Sequence, residues 1–306
     1  MLSYILLTVV CLAILLYASD IFIDAAEKIG LALGISPFII GVTIVAFGTS
    51  LPELAASIAS VFSGTSEIVV GNAVGSNITN ILLVLGLTAM VGKKIVLDFD
   101  IWDVDMPLLL GSAFLMLFTL KDGHFSTIEA ILYLIALVGF LVNSVTGSKD
   151  DDLEKTEIDF KDIIKLVIGG CLVFVAAKYT IVGIEEVSKI VGISPEVISL
   201  TFVALGTSLP EVVVSMSAAK RGKHAIAVGN VLGSNIFNSY AVMAIPSFFG
   251  NLLIPSNVIA FSLPFMLAVT ILFGVVTMSK KIGKWEGLLL LIFYGFYLAE
   301  QFKALN

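Results

Sequence analysis

The chain alternates long apolar runs with short polar connections, and it does so ten times. A bilayer-spanning helix needs about 20 predominantly apolar residues, more if it is tilted or broken. On that measure the runs predict helices over 2–28, 37–62, 67–91, 104–120, 127–146, 161–188, 195–219, 225–249, 255–278 and 283–303. The expected fold class is an all-α polytopic membrane protein. The first run starts at Leu2 with no basic residues before it and no small-residue cleavage site after it, so it reads as a span and not as a signal peptide.

Polar residues break the pattern at four matched places. Gly48-Thr49-Ser50-Leu51-Pro52-Glu53 lies in the middle of the second run, and Gly206-Thr207-Ser208-Leu209-Pro210-Glu211 repeats it 158 residues later. A second pair keeps the same offset: Gly71-Asn72-Ala73-Val74-Gly75-Ser76-Asn77-Ile78-Thr79-Asn80 against Gly229-Asn230-Val231-Leu232-Gly233-Ser234-Asn235-Ile236-Phe237-Asn238. Aligning Gly34–Asn80 with Gly192–Asn238 needs no gap and gives 25 identities in 47 pairs. The chain is a duplication whose most alike parts are polar motifs inside apolar helices. Matched interruptions in two halves are the best sequence pointer to the binding site of a transporter.

Five helices per half is an odd number, which sets the two halves in the membrane with opposite orientation. The expected organisation is a first five-helix repeat over 1–146, a short acidic linker over 147–160 and a second repeat over 161–306. Of the 17 Lys and Arg, 13 fall on the side of the connections after helices one, three, five, seven and nine. Lys121, Lys189 and Lys303 fall on the other side, and Lys178 lies within the sixth run. The positive-inside rule then places the linker in the cytoplasm and both termini outside the cell membrane.

Composition agrees with this: 58% of residues are hydrophobic and only 13% charged, where a soluble domain carries about 25% charged. The net charge of −7 gathers around Asp150-Asp151-Asp152, a solvated connection with no nucleic-acid signature. Cys11 and Cys171 lie in separate spans at positions not related by the repeat and read as small core residues, while His124 and His224 fall in connections. No nucleophile with its base and no cofactor loop suggests an enzyme, and no cofactor is expected. No partner protein is implied beyond membrane lipid, which leaves a monomer as the simplest assembly.

A carboxylate in mid-membrane costs roughly 2.5–3.5 kcal/mol and is a functional hypothesis by default. Gly48 and Pro52 weaken the helix at the same point and should release the Ala46 carbonyl; Gly206 and Pro210 should release that of Ala204. Around these carbonyls stand Thr49, Ser50, Glu53, Ser76 and Asn80 from one half and Thr207, Ser208, Glu211, Ser234 and Asn238 from the other. Oxygen ligands alone suit a hard cation, six to eight of them for Ca²⁺. The absence of Cys and His from the set argues against zinc, copper or iron. Asn77 and Asn235 fit helix–helix glue as well as they fit ligands, and Ser57 and Ser215 read as packing residues. An ion channel could use the same oxygens, and a membrane scaffold would leave the duplicated glutamates without a purpose.

The paired GTSLPE and GN-x-x-GSN-I-x-N motifs resemble the alpha repeats of the sodium/calcium exchanger family, within the cation/calcium antiporters. The resemblance implies Na⁺ entry driving Ca²⁺ extrusion by alternating access, with Ca²⁺ and Na⁺ as the transported substrates. It implies that Glu53 and Glu211 hold both ions, and that helices one and six slide past the core as gates. The hydroxyls of Thr49, Ser50, Thr207, Ser208, Ser76 and Ser234 and the carbonyls of Ala46 and Ala204 match family ligands. Many members carry Asp where this chain has Asn238, and here both Asn80 and Asn238 are amides. That departure weighs against K⁺ co-transport and against a proton/Ca²⁺ antiporter, the alternative reading.

Overall fold

A computed structural model describes residues 1–92, 94–97, 99–103, 105–147, 158–191 and 206–303. Its helices follow the apolar runs. They are α1 (Leu2–Ala32), α2 (Pro37–Phe62), α3 (Glu67–Val91), α4 (Asp105–Leu120), α5 (Thr127–Gly147) and α6 (Phe160–Ile190). After the gap come α7 (Leu209–Lys220), α8 (residues 224–247), α9 (Val258–Thr277) and α10 (Lys284–Lys303). Six of the described helices, α1, α2, α3, α5, α6 and α9, are long and apolar enough to cross a membrane. The expected helix over 195–219 is seen only from Leu209, because 192–205, and Ala204 with them, lie outside the described residues.

Local chemistry sets the ends. Ser36 accepts the Ile39 N–H at 3.5 Å with Pro37 in the first turn, a preformed start for α2. Asp159 and Asp162 close a reciprocal capping box on α6, and Ser126 and Glu129 do so on α5. Gly64 and Gly222, repeat equivalents, end α2 and α7 at φ of 77° and 75°, a left-handed turn that a Cβ would strain. One feature departs from an all-helical reading: Lys94–Val96 (β1) and Lys281–Gly283 (β2) pair antiparallel, joining the connections before α4 and α10. The His224 ring nitrogen accepts the Val96 N–H at 3.4 Å, so this histidine ties down the ribbon instead of standing in solvent.

The helices sort by burial. In α3, 83% of the spanning window is buried, against 28% in α1 and in α5, so α3 lies inside and those two outside. Exposed faces such as Leu6, Val9 and Leu16 on α1 and Ile135, Val138 and Val142 on α5 are apolar, as lipid contact requires. Cys171 also faces outward, correcting its reading as a core residue; Cys11 is buried. Helices α1 and α6 run antiparallel, with Phe22 against Gly169 and Lys28 paired to Asp162 at 2.5 Å. The inner helices α2 and α8 cross with their backbones touching at Gly41 and Gly229, where a Cβ on either would come 2.5 Å from a carbonyl of the other helix.

Candidate functional site

The two GTSLPE segments enter the core differently. In the second half Gly206 is helical, Thr207 and Ser208 form a turn and α7 begins at Leu209, so the break expected before Pro210 is present. In the first half Pro52 lies inside continuous α-helix, and the irregularity is a π turn one step earlier, Gly41–Val45. Proline leaves one carbonyl unpaired, and neighbouring hydroxyls can replace the missing N–H in a membrane helix. Here the carbonyl concerned is that of Gly48, four residues before Pro52, and the Thr49 hydroxyl lies 3.3 Å from the neighbouring Ala46 carbonyl and 3.0 Å from the Asn230 oxygen. Both GN-x-x-GSN helices widen into π turns at the same repeat positions, Asn80–Val84 and Asn238–Val242. Such bulges recur at functional sites, and nothing in the residue pattern announced them.

These elements place Glu53 and Glu211 in the interior, both fully buried and close enough for their charges to act on each other. Ser50 of α2 donates to the Glu211 carboxylate at 3.2 Å, joining the halves. The Thr207 hydroxyl sits beside Glu53 and that of Thr49 beside Glu211, although each makes its best hydrogen bond elsewhere. Thr49 and Ser234 approach at 3.4 Å. Ser76 is buried next to this group through Asn72, at 3.4 Å. The structure therefore gathers Thr49, Ser50, Glu53, Ser76, Thr207, Glu211 and Ser234.

Ser208, Asn80 and Asn238 are fully buried as well, and none of their side-chain polar atoms finds a hydrogen-bond partner. The same holds for both carboxylate oxygens of Glu53, for one of Glu211 and for both amide atoms of Asn235. Asn77 splits: its amide donates to Ser239 at 2.9 Å, the glue reading, while its carbonyl oxygen is unpartnered. Buried polar atoms without partners are rare, and so many of them in one core need a cause. A cation accepts carboxylate, hydroxyl and amide oxygens together and removes the repulsion between two ionised glutamates. Among the described residues no three His, Cys, Asp or Glu come together, which leaves the glutamate pair as the only charge in such a site.

Two residues outside the expected ligand set shape this core. Asn72 donates to the Glu53 carbonyl at 3.1 Å and to Ser57 at 3.0 Å, and accepts from Ser76 and, across the repeats, from Thr207 at 3.3 Å. Asn230 donates to Ser215 at 2.9 Å and accepts from Thr49 at 3.0 Å. Ser57 and Ser215 are thus hydrogen-bonded partners and not simple packing. The repeat offset, which Asn72 and Asn230 share with the glutamates, was the available signal. A separate cavity of about 770 Å³ lies on the outer side of α2, lined by Phe22, Phe47, Leu51, Phe140 and Phe174. It is apolar and offers a cation nothing.

Comparison with known proteins gives consistent likenesses. Residues 3–146 and 161–303 match the family described as sodium/calcium exchanger protein. The sodium/calcium exchanger MaX1 of Methanosarcina acetivorans is 34% identical over 95% of this chain and 96% of its own. A putative antiporter, CaxA of Alkalimonas amylolytica, is 35% identical over 89% of this chain and 88% of its own. A solved structure of the sodium-calcium exchanger NCX_Mj, soaked with Na⁺ and Sr²⁺, superposes with a TM-score of 0.83 at 33% identity, over 97% of each chain.

Proposed function

The chain belongs to the sodium/calcium exchanger family, and we propose that it is a secondary antiporter in which extracellular Na⁺ entering drives Ca²⁺ out at one shared site. The observation that carries this is the buried pair Glu53 and Glu211, three of whose four carboxylate oxygens lack a partner, with Ser50, Thr49 and Thr207 beside them. Two carboxylates neutralise one Ca²⁺. The hydroxyls of Thr49, Ser50, Thr207, Ser208, Ser76 and Ser234, the Ala46 and Ala204 carbonyls and the Asn80 and Asn238 amides complete coordination for Ca²⁺ and for Na⁺. The relatives' exchange of these ions supports the reading, and neither ion needs a cofactor.

The proposed frame is ten spans in two inverted repeats over 1–146 and 161–306, joined by the linker over 147–160. It is supported by reciprocity. Thr49 bonds Asn230 as Thr207 bonds Asn72, and the π turns at Asn80 and Asn238 match. A two-fold relation produces such i-to-j, j-to-i contacts. The excess of Lys and Arg on one side supports a cytoplasmic linker and external termini in the cell membrane. Helices α1 and α6 are the proposed gates. Sliding α1 must then break its ion pairs to the α7–α8 connection, Asp24 with Arg221 and Lys223 and Glu27 with Lys223 at 2.7 Å.

With two acids and two amides the empty site carries a formal charge of about −2, so one Ca²⁺ leaves it neutral and a load of three Na⁺ leaves about +1. Exchange is then electrogenic and independent of K⁺, and protons act only by competing at the glutamates. Replacing Asn238 by Asp adds a charge that titrates. Na⁺-driven Ca²⁺ flux of that variant should gain a dependence on K⁺ or a steeper loss toward acid pH; a profile equal to the parent's would place Asn238 away from the ions. A shared site also requires competition. Calorimetric titration of purified protein should show Ca²⁺ binding weakening as Na⁺ rises, and Ca²⁺ affinity indifferent to Na⁺ would refute it.

A further inference from the structure

We propose that Asn72 and Asn230 are positioning residues that turn the protons of Thr207, Ser76 and Thr49 away from the transported ions, so that hydroxyl lone pairs face Na⁺. The inference rests on the shared-site reading above and goes beyond it, since neither asparagine is among the proposed ligands.

The orientation of the Asn72 amide follows from its neighbours. A carbonyl oxygen only accepts, so the atom facing the Glu53 carbonyl at 3.1 Å is the NH₂ group, and its second proton goes to Ser57 at 3.0 Å. The amide oxygen must then face Ser76 at 3.4 Å and Thr207 at 3.3 Å, as acceptor to both. All four bonding positions of this side chain are used, which fixes it. Asn230 repeats the arrangement: its NH₂ donates to Ser215 at 2.9 Å and its oxygen accepts from Thr49 at 3.0 Å. The Ala46 carbonyl, at 3.3 Å, is the more distant destination for the Thr49 proton.

A hydroxyl has one proton and two lone pairs. If its proton goes to an asparagine oxygen, the lone pairs remain for a cation; if it goes to a glutamate, hydroxyl and cation compete for the same carboxylate. Asn72 and Asn230 are buried, at 6% and 0% exposure, and each reaches across the repeats to the other half's GTSLPE segment. Their effect falls mainly on Na⁺. A monovalent ion gains less from the two carboxylates than Ca²⁺ does and leans more on neutral oxygens.

The test is a double-mutant cycle read separately for the two ions, on purified protein in liposomes. Asn230→Leu should raise the Na⁺ concentration for half-maximal Na⁺-driven Ca²⁺ flux about tenfold, the worth of one hydrogen bond. Half-saturation for Ca²⁺ in Ca²⁺/Ca²⁺ exchange should move by less than about threefold, since the carboxylates are untouched. Thr49→Val, which removes the ligand itself, should lose at least as much, and the double variant should be no worse than Thr49→Val alone, because Asn230 acts through that hydroxyl. Equal losses for both ions, or effects that multiply in the double variant, would overturn the proposal in favour of simple packing. If Asn230→Leu is not recovered folded, Asn230→Ser carries the test, its side chain being too short to reach Thr49; failure of both to fold would also reject it. A parent protein with no Na⁺-driven flux would instead refute the exchange reading itself.

Discussion

Glu53→Gln and Glu211→Gln should each abolish Ca²⁺ transport, by about 100-fold or more, while the protein still inserts and stays monodisperse. Both side chains are fully buried, so whatever neutralises them must come from within the site. Removing one partner of a buried charge pair costs about 3–5 kcal/mol of their interaction, and a divalent ion left with one carboxylate at mid-membrane keeps an uncompensated charge. The amide is nearly isosteric, and its oxygen can still accept from Ser50 at the place where Glu211 does now. Folding should therefore survive. Without Ca²⁺ the variants should melt no lower than the parent, because one buried charge and its repulsion of the other are gone. Added Ca²⁺ should raise the parent's melting temperature and leave that of the variants unchanged. Near-parental exchange in both would remove the glutamates from the mechanism.

Gly229→Ala should cost the second-largest effect, this time in assembly of the core. The added Cβ would stand 2.5 Å from the Phe38 carbonyl and 3.0 Å from the Val42 nitrogen. These are backbone atoms of α2, which cannot rotate aside, so α2 and α8 must part. Overpacking in a filled core costs about 1–3 kcal/mol, and parting these two helices also displaces Thr49 from Asn230. Melting temperature should fall by several degrees and transport should fall with it. Gly111→Ala is the control: that residue is exposed on α4 with nothing within 4 Å of the new methyl, and helix propensity alone should make it neutral or slightly stabilising. Equal behaviour of the two variants would mean that the α2–α8 crossing is looser than drawn.

The class of the protein, the positions of its described helices and the duplication were legible because each rests on a repeating signal. Apolar runs of bilayer length give the first two, and the fixed offset of 158 residues gives the third. The glutamates stood out because charge is costly in such runs. What stayed hidden has no such contrast. A π turn uses the same apolar residues as an α-helix, so Gly41–Val45 and Asn80–Val84 left no mark, and Pro52 suggested a break where the chain stays helical. Cys171 faces out and Cys11 in, a difference of helix face that a uniformly apolar run does not encode. Asn72 and Asn230 lay inside the motif, but their role depends on contacts across 135 and 181 residues of chain.

The most direct measurement is Ca²⁺ flux in liposomes holding the purified protein, with Na⁺, K⁺ and proton gradients imposed separately and the membrane potential clamped. Moving one charge across 100 mV is worth about 2.3 kcal/mol, so the flux should respond visibly to voltage. Ca²⁺ movement should require an opposing Na⁺ gradient, saturate, follow voltage and stay unchanged when K⁺ is removed. Flux driven by the proton gradient alone, or indifferent to both Na⁺ and voltage, would contradict it.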